Sequence, residues 1–158
     1  MKRDEKIFTR REFLKTASVA AAVSFGFPAI VPASALGRDK RPAPSNRIVM
    51  AGIGFGMMGI PNMEAFLSKD EVQWVAVCDV DKNHLARAKE IVDKKYGNKA
   101  CRAYTDFREL FLRKDIDAVS IAVPDHWHAL LAINAARAGY DIYGEKPLTH
   151  DLAEGRAL

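Results

Sequence analysis

The sequence predicts an α/β chain built on a doubly wound parallel sheet. Three observations predict it. Short apolar runs rich in β-branched residues recur after residue 46, stretches with helical spacing of apolar residues separate them, and glycines stand where those stretches start or stop. Strands alternating with helices at this spacing form βαβ units with right-handed crossovers, and such units build a parallel sheet covered by helices on both faces.

Arg47 to Ile53 is the first run; it ends among glycines, and a helical stretch containing Ala65 to Leu67 follows, which makes a strand, a tight turn and a helix. Val72 to Cys78 is continuously apolar, as a strand buried on both faces requires. Asp81 to Tyr96 is charged but carries Leu85, Ala88, Ile91 and Val92, a spacing that lays one stripe against a sheet, and Gly97-Asn98 stops it. Cys101 to Tyr104 reads as a third strand, Asp106 to Leu112 as a short helix and Ala118 to Val123 as a fourth strand. His126 to Ala138 is a helix closed by Gly139, Asp141 to Gly144 a fifth strand, and the opening turns of another helix follow Thr149.

The 158 residues amount to about one domain, but residues 1–35 read as an address rather than as part of the fold. Charged residues Lys2 to Lys15 precede a small, apolar stretch from Ala17 to Val31, and Ala33-Ser34-Ala35 fits a cleavage site. Arg10-Arg11 followed by Phe13-Leu14-Lys15 resembles a twin-arginine signal, which implies the Tat export machinery as a partner and a periplasmic or extracytoplasmic destination. The competing reading is a membrane anchor; the apolar run is short for one, and Gly26 and Pro28 interrupt it. Residues 36–46, with Pro42 and Pro44, read as a solvated linker, leaving 47–158 as the domain.

The net charge of +4 belongs mostly to the signal: six basic and three acidic residues leave with it, so the remainder carries +1. That excludes the clustered positive charge of a nucleic-acid footprint. Cys78 and Cys101 are too few for a disulfide scaffold; both fall in predicted strands and read as buried free thiols.

Gly54-Phe55-Gly56-Met57-Met58-Gly59 follows a predicted strand and opens a predicted helix, the context in which G-x-G-x-x-G marks a dinucleotide-binding Rossmann fold. Gly54 permits the tight turn, Gly56 lets backbone approach a pyrophosphate, and Gly59 lets helix pack closely on strand, with Met57 and Met58 between them on the cofactor side. Gly52 offers an overlapping frame, but it would put Met57 at the third glycine position. Asp79 lies 20 residues after Gly59, where a carboxylate accepts hydrogen bonds from ribose hydroxyls and repels a 2′-phosphate; NAD is therefore favoured over NADP. The alternative for Asp79, a helix N-cap, suits Asp81 better.

Val123-Pro124-Asp125-His126-Trp127-His128 ends the fourth strand at the edge where ligands sit. His126 and His128, two apart at a helix start, do not share a face, and no Cys or Glu stands at ligand spacing, so no metal is expected with His150. His126 and His128 read instead as polar caps and, with Pro124, as the wall of a cofactor pocket. Gly144-Glu145-Lys146-Pro147-Leu148 follows the fifth strand. There Lys146 stands beside an oxidised nicotinamide ring, whose positive charge disfavours the ammonium form, or is a solvated loop lysine; position alone leaves both open. Because such domains present their crevice to a second domain, the chain is expected to be a fragment of a longer enzyme whose substrate domain lies elsewhere.

From about Asn46 to Leu158 the chain resembles the Gfo/Idh/MocA oxidoreductases. The matching pieces are the Gly54–Gly59 turn, Cys78-Asp79-Val80-Asp81, Asp106-Phe107-Arg108-Glu109-Leu110, Asp117-Ala118-Val119, Pro124 to His128, and Glu145-Lys146-Pro147-Leu148. The resemblance implies hydride transfer between a sugar or polyol carbon and NAD, with Lys146 hydrogen-bonding the reacting hydroxyl or carbonyl and Glu145 and Pro147 setting its loop. It also implies an α/β substrate half and a homo-oligomer in the full-length form; the present chain alone is expected to bind dinucleotide weakly and not to turn over. Some relatives are glycosidases that oxidise a sugar transiently, eliminate the aglycone and reduce the product on retained NAD. They tend to lack the Glu-Lys-Pro lysine. Export of a folded, cofactor-loaded protein fits either chemistry.

Overall fold

The apolar runs form one five-stranded, all-parallel sheet in the order β3-β2-β1-β4-β5 in the computed structural model, which describes residues 42–158. The strands are β1 (Ile48–Ile53), β2 (Val72–Cys78), β3 (Arg102–Tyr104), β4 (Ala118–Ile121) and β5 (Asp141–Gly144). The helices are α1 (Gly59–Leu67), α2 (Lys82–Tyr96), α3 (Phe107–Phe111), α4 (Asp125–Ala138) and α5 (Leu152–Ala157). This is the predicted doubly wound α/β fold. The signal assigned to residues 1–35 lies outside the described residues. Of the linker assigned to 36–46, the described end forms a 3-10 turn over Pro44–Asn46 rather than free chain, because Pro44 fixes the first turn and Arg47 Nε donates to the Pro42 carbonyl at 2.9 Å.

Side chains that alternate along β1 serve two cores, one on each face of the sheet. Ala51 and Ile53 join Ala76, Leu110, Val119, Ile121 and Leu131 under α3 and α4. Met50 joins Met63, Trp74, Val77, Ala88 and Val92 under α1 and α2. Of the predicted stripe of α2, Ala88 and Val92, one turn apart, are fully buried, and Leu85 and Ile91 are partly buried against the same core. Asp81 caps that helix, its carboxylate accepting from the backbone N–H of Asn83 at 2.7 Å and of His84 at 3.1 Å. Those bonds, the one from His84 foremost, hold its carboxyl below the usual range.

Several boundaries differ from expectation by one or two residues, two of them for a hydrogen-bonding reason. Cys101 precedes β3 rather than opening it, because its N–H donates to the Asp93 carboxylate on α2 at 3.2 Å. The fourth strand stops at Ile121, two residues early: the Ala122 N–H still donates to the Ile53 carbonyl at 2.9 Å, but the Val123 carbonyl is taken by His128 and Pro124 has no N–H, and α4 starts at Asp125. His126 consequently sits inside the helix, exposed, and caps nothing. Both cysteines are buried and free as expected. Burial, reinforced by the charge of Asp79, pushes the Cys78 thiol up to about 12, and burial pushes Cys101 up to about 11, so neither offers a thiolate near neutral pH. Among the described residues no helix is long and apolar enough to cross a membrane.

Candidate functional site

The strand order reverses between β1 and β4, and outside the carboxyl ends of the strands lies a cleft of about 670 Å³. Each predicted glycine has a distinct environment there. Gly54 has a positive φ of 84° and donates its N–H to the Cys78 carbonyl at 2.9 Å; a Cβ on it would stand 2.2 Å from the Ala122 carbonyl oxygen. A Cβ on Gly59 would stand 1.9 Å from the Gly54 carbonyl oxygen, so α1 can lie against the turn only without a side chain there. Gly56 is the opposite case: a Cβ would meet nothing within 4 Å and would project into open space at the turn. Gly54, Gly56, Met57 and Met58 line the cleft; Gly59 lies behind it and acts through packing. Gly52, the alternative first glycine, faces the core, where a Cβ would come within 2.5 Å of Trp74 and 2.7 Å of Phe55.

At the start of α1, Met58 supplies no side-chain cap, and Pro61 brings no N–H to the first turn. The helix thus opens at the cleft with backbone donors that no side chain has claimed, as a phosphate site requires. Met57 is 93% exposed at that point.

Asp79 is buried at the end of β2 and braces the turn. One carboxylate oxygen accepts from the Phe55 N–H at 2.7 Å, the other from the Asp81 N–H at 2.8 Å. An ionised carboxylate has about four acceptor positions, so each oxygen keeps capacity for a ribose hydroxyl. Asp79→Ala is expected to lower the unfolding free energy by about 2–4 kcal/mol, because two backbone donors lose a charged acceptor. A denaturant melt measures this; a change below ~0.5 kcal/mol would mean that the turn holds itself.

The opposite wall comes from the β4–α4 connection. His128, 3% exposed, donates Nε2–H to the Val123 carbonyl at 2.6 Å and lines the cleft with Pro124. Beyond β5, the Glu145 N–H continues the sheet pattern to the Ile121 carbonyl at 3.0 Å, and its carboxylate accepts from the Asn62 side chain of α1 at 2.8 Å. That bond ties the Glu-Lys-Pro loop to the glycine helix. Lys146 lines the cleft and is exposed; its ammonium has no hydrogen-bond or ion-pair partner among the described residues. The Lys146–Pro147 peptide is cis.

Sequence reasoning assigned no part of the cleft to Phe107 and Trp127, yet both line it, their rings edge to face with centroids 6.4 Å apart. Both stood inside quoted motifs, which was the available signal. Among the described residues no group of three or more His, Cys, Asp and Glu side chains could hold a metal ion.

Residues 47–158 match the Gfo/Idh/MocA family model, described as an oxidoreductase family with an NAD-binding Rossmann fold. The chain is 38% identical over 136 residues to a glycosyl hydrolase family 109 protein of Stenotrophomonas maltophilia, covering 82% of this chain and 28% of that one. It is 33% identical over 159 residues to an alpha-N-acetylgalactosaminidase of Shewanella oneidensis, covering 92% and 35%. Among solved structures it is similar to a myo-inositol 2-dehydrogenase from Lactobacillus plantarum, with a TM-score of 0.62, 30% identity, and coverage of 70% of this chain and 31% of that one. The chain spans about a third of the length of the curated relatives it matches.

Proposed function

The chain belongs to the Gfo/Idh/MocA oxidoreductase family through its NAD-binding Rossmann domain, and on that premise we propose that it is the cofactor-binding part of an exported enzyme that oxidises a sugar or polyol. The observation that carries the reading is that one cleft collects the glycine turn, Asp79 and Lys146. The residues fit a dinucleotide: open space at Gly56, an uncapped helix start at Met58 and spare acceptor capacity on Asp79 answer to a pyrophosphate and a ribose. The Asp79 carboxylate favours NAD over NADP because it repels a 2′-phosphate.

Bound there, NAD supplies a two-electron acceptor for the hydrogen of a carbinol C–H. The chain's own contribution is at the hydroxyl. The Lys146 side chain hydrogen-bonds that oxygen and, as neutral amine, takes its proton while the carbonyl forms; in the reverse direction it returns the proton. Glu145, held by Asn62, fixes the loop on which Lys146 stands. Pro124 and His128 form the facing wall.

A second reading has a specific observation in its favour, the glycosidase names of the relatives above. In it the same oxidation is transient, the aglycone is eliminated and the sugar is reduced again on retained NAD. Export agrees with both readings: Arg10-Arg11 and the apolar stretch after it would pass a folded, loaded protein to the Tat machinery.

Titration calorimetry of the chain with NAD is the first test. Saturable binding with an affinity for NAD at least about tenfold above that for NADP is expected, a difference of ~1.4 kcal/mol. Absence of binding would remove the assignment. Products of the full-length enzyme on sugars and on model glycosides separate the two readings: net NADH marks the dehydrogenase, released aglycone without net NADH the glycosidase.

A further inference from the structure

His84 stands on the first turn of α2 and lines the cleft beside Asp79, its Nδ1 3.7 Å from the carboxylate oxygen that also accepts from Phe55. The imidazole is about half exposed, so it reaches both the carboxylate and the space in front of it. We infer that His84 is a specificity-determining residue for the adenosine ribose, setting how strongly the site refuses a 2′-phosphate. The inference rests on the NAD reading of the cleft and refines it.

The physical case is a charge balance at one end of the cleft. Asp79 from the end of β2 and Asp81 capping α2 both line that end, and both are acidic. The glycine turn and Thr105 bring no charge to it, and Asp125 stands on the far wall at the start of α4. Asp106, at the start of α3, is occupied by Arg108, while Lys82 and Arg87 are exposed on α2 outside the cleft lining. His84 is therefore the group at the ribose end that can oppose the two carboxylates. Histidine is the side chain that changes charge between about pH 5 and 8. Neutral, it leaves Asp79 as a full acceptor for ribose hydroxyls and a full repeller of phosphate. Protonated, it pairs with Asp79 and offers the phosphate a cation.

The test is titration calorimetry of NAD and NADP against the full chain at about pH 5.5 and about pH 8, as wild type and as His84→Asn. The 2′-phosphate loses its second proton at about pH 6 in free solution, a change both proteins experience, so the comparison isolates the part that depends on His84. The NAD preference of the wild type is expected to shrink on acidification by about fivefold more than that of His84→Asn, the size of one nearby charge in a wet site. His84→Arg is expected to narrow the preference at both pH values by roughly tenfold, since a guanidinium stays charged and pairs phosphate. An equal pH effect in wild type and His84→Asn, or an unchanged preference in His84→Arg, would overturn the role of His84 while leaving the NAD site intact. Wild type that binds neither dinucleotide overturns the cleft assignment and the role of His84 with it.

Discussion

A Gly59→Ala chain is expected to lose at least ~3 kcal/mol of stability and to lose dinucleotide binding with it. The added methyl would stand 1.9 Å from the carbonyl oxygen of Gly54 and 2.8 Å from its carbonyl carbon. Both are backbone atoms, so no rotamer change relieves the clash, and the turn they belong to has little room to retreat. Gly54 is itself in the left-handed region, with Ala122 backbone 2.2 Å from where its own Cβ would be. Either α1 moves off β1 or the turn opens, and both dismantle the cleft. Gly56→Ala is the control within the same motif. Its methyl meets nothing within 4 Å, so the melt is expected to stay within ~0.5 kcal/mol of wild type while NAD affinity falls. Denaturant melts and calorimetry on the two variants check both halves; equal stability of the two would refute the division of labour.

That division was legible in the sequence because it is local: the motif spans a few residues, and the backbone geometry of a strand-turn-helix junction follows from it. The same holds for β2, β5 and the end of α2, whose boundaries coincide with the apolar runs and with Gly97. What escaped was the work of groups far apart in the chain. Asp79 read as a ribose acceptor, and nothing nearby in the sequence says that its carboxylate also braces Phe55, 24 residues earlier. The bond from Asn62 to Glu145 spans 83 residues and has no local signature. Phe107 and Trp127 meet across the cleft because α3 and α4 pack together at one end of the sheet. Cys101 was misplaced by a side-chain acceptor, Asp93, that competes with the ladder for its N–H. The reaction itself is less legible still, since the chain spans about a third of its relatives' length and a domain of this kind supplies one wall of a site.

Lys146→Ala in the full-length enzyme is the substitution expected to cost most in activity, a fall in kcat of about 10²–10⁴-fold, the range of a positioned acid or base. The geometry separates this from a structural loss. Lys146 is exposed at the cleft with no partner among the described residues, so its removal unpairs nothing and should leave the melt and the NAD affinity near wild type. Lys146→Arg keeps the charge but has no neutral form with which to accept a proton, and is expected to rescue little. Both proposed chemistries begin by oxidising the same kind of carbon, so in this chain, which keeps the lysine that the glycosidase relatives tend to lack, both predict the loss; they differ in what disappears. In the dehydrogenase the NADH signal goes, and in the glycosidase the released aglycone goes. If aglycone release persists in Lys146→Ala at the wild-type rate, the lysine is a solvated loop residue, and another group handles the proton.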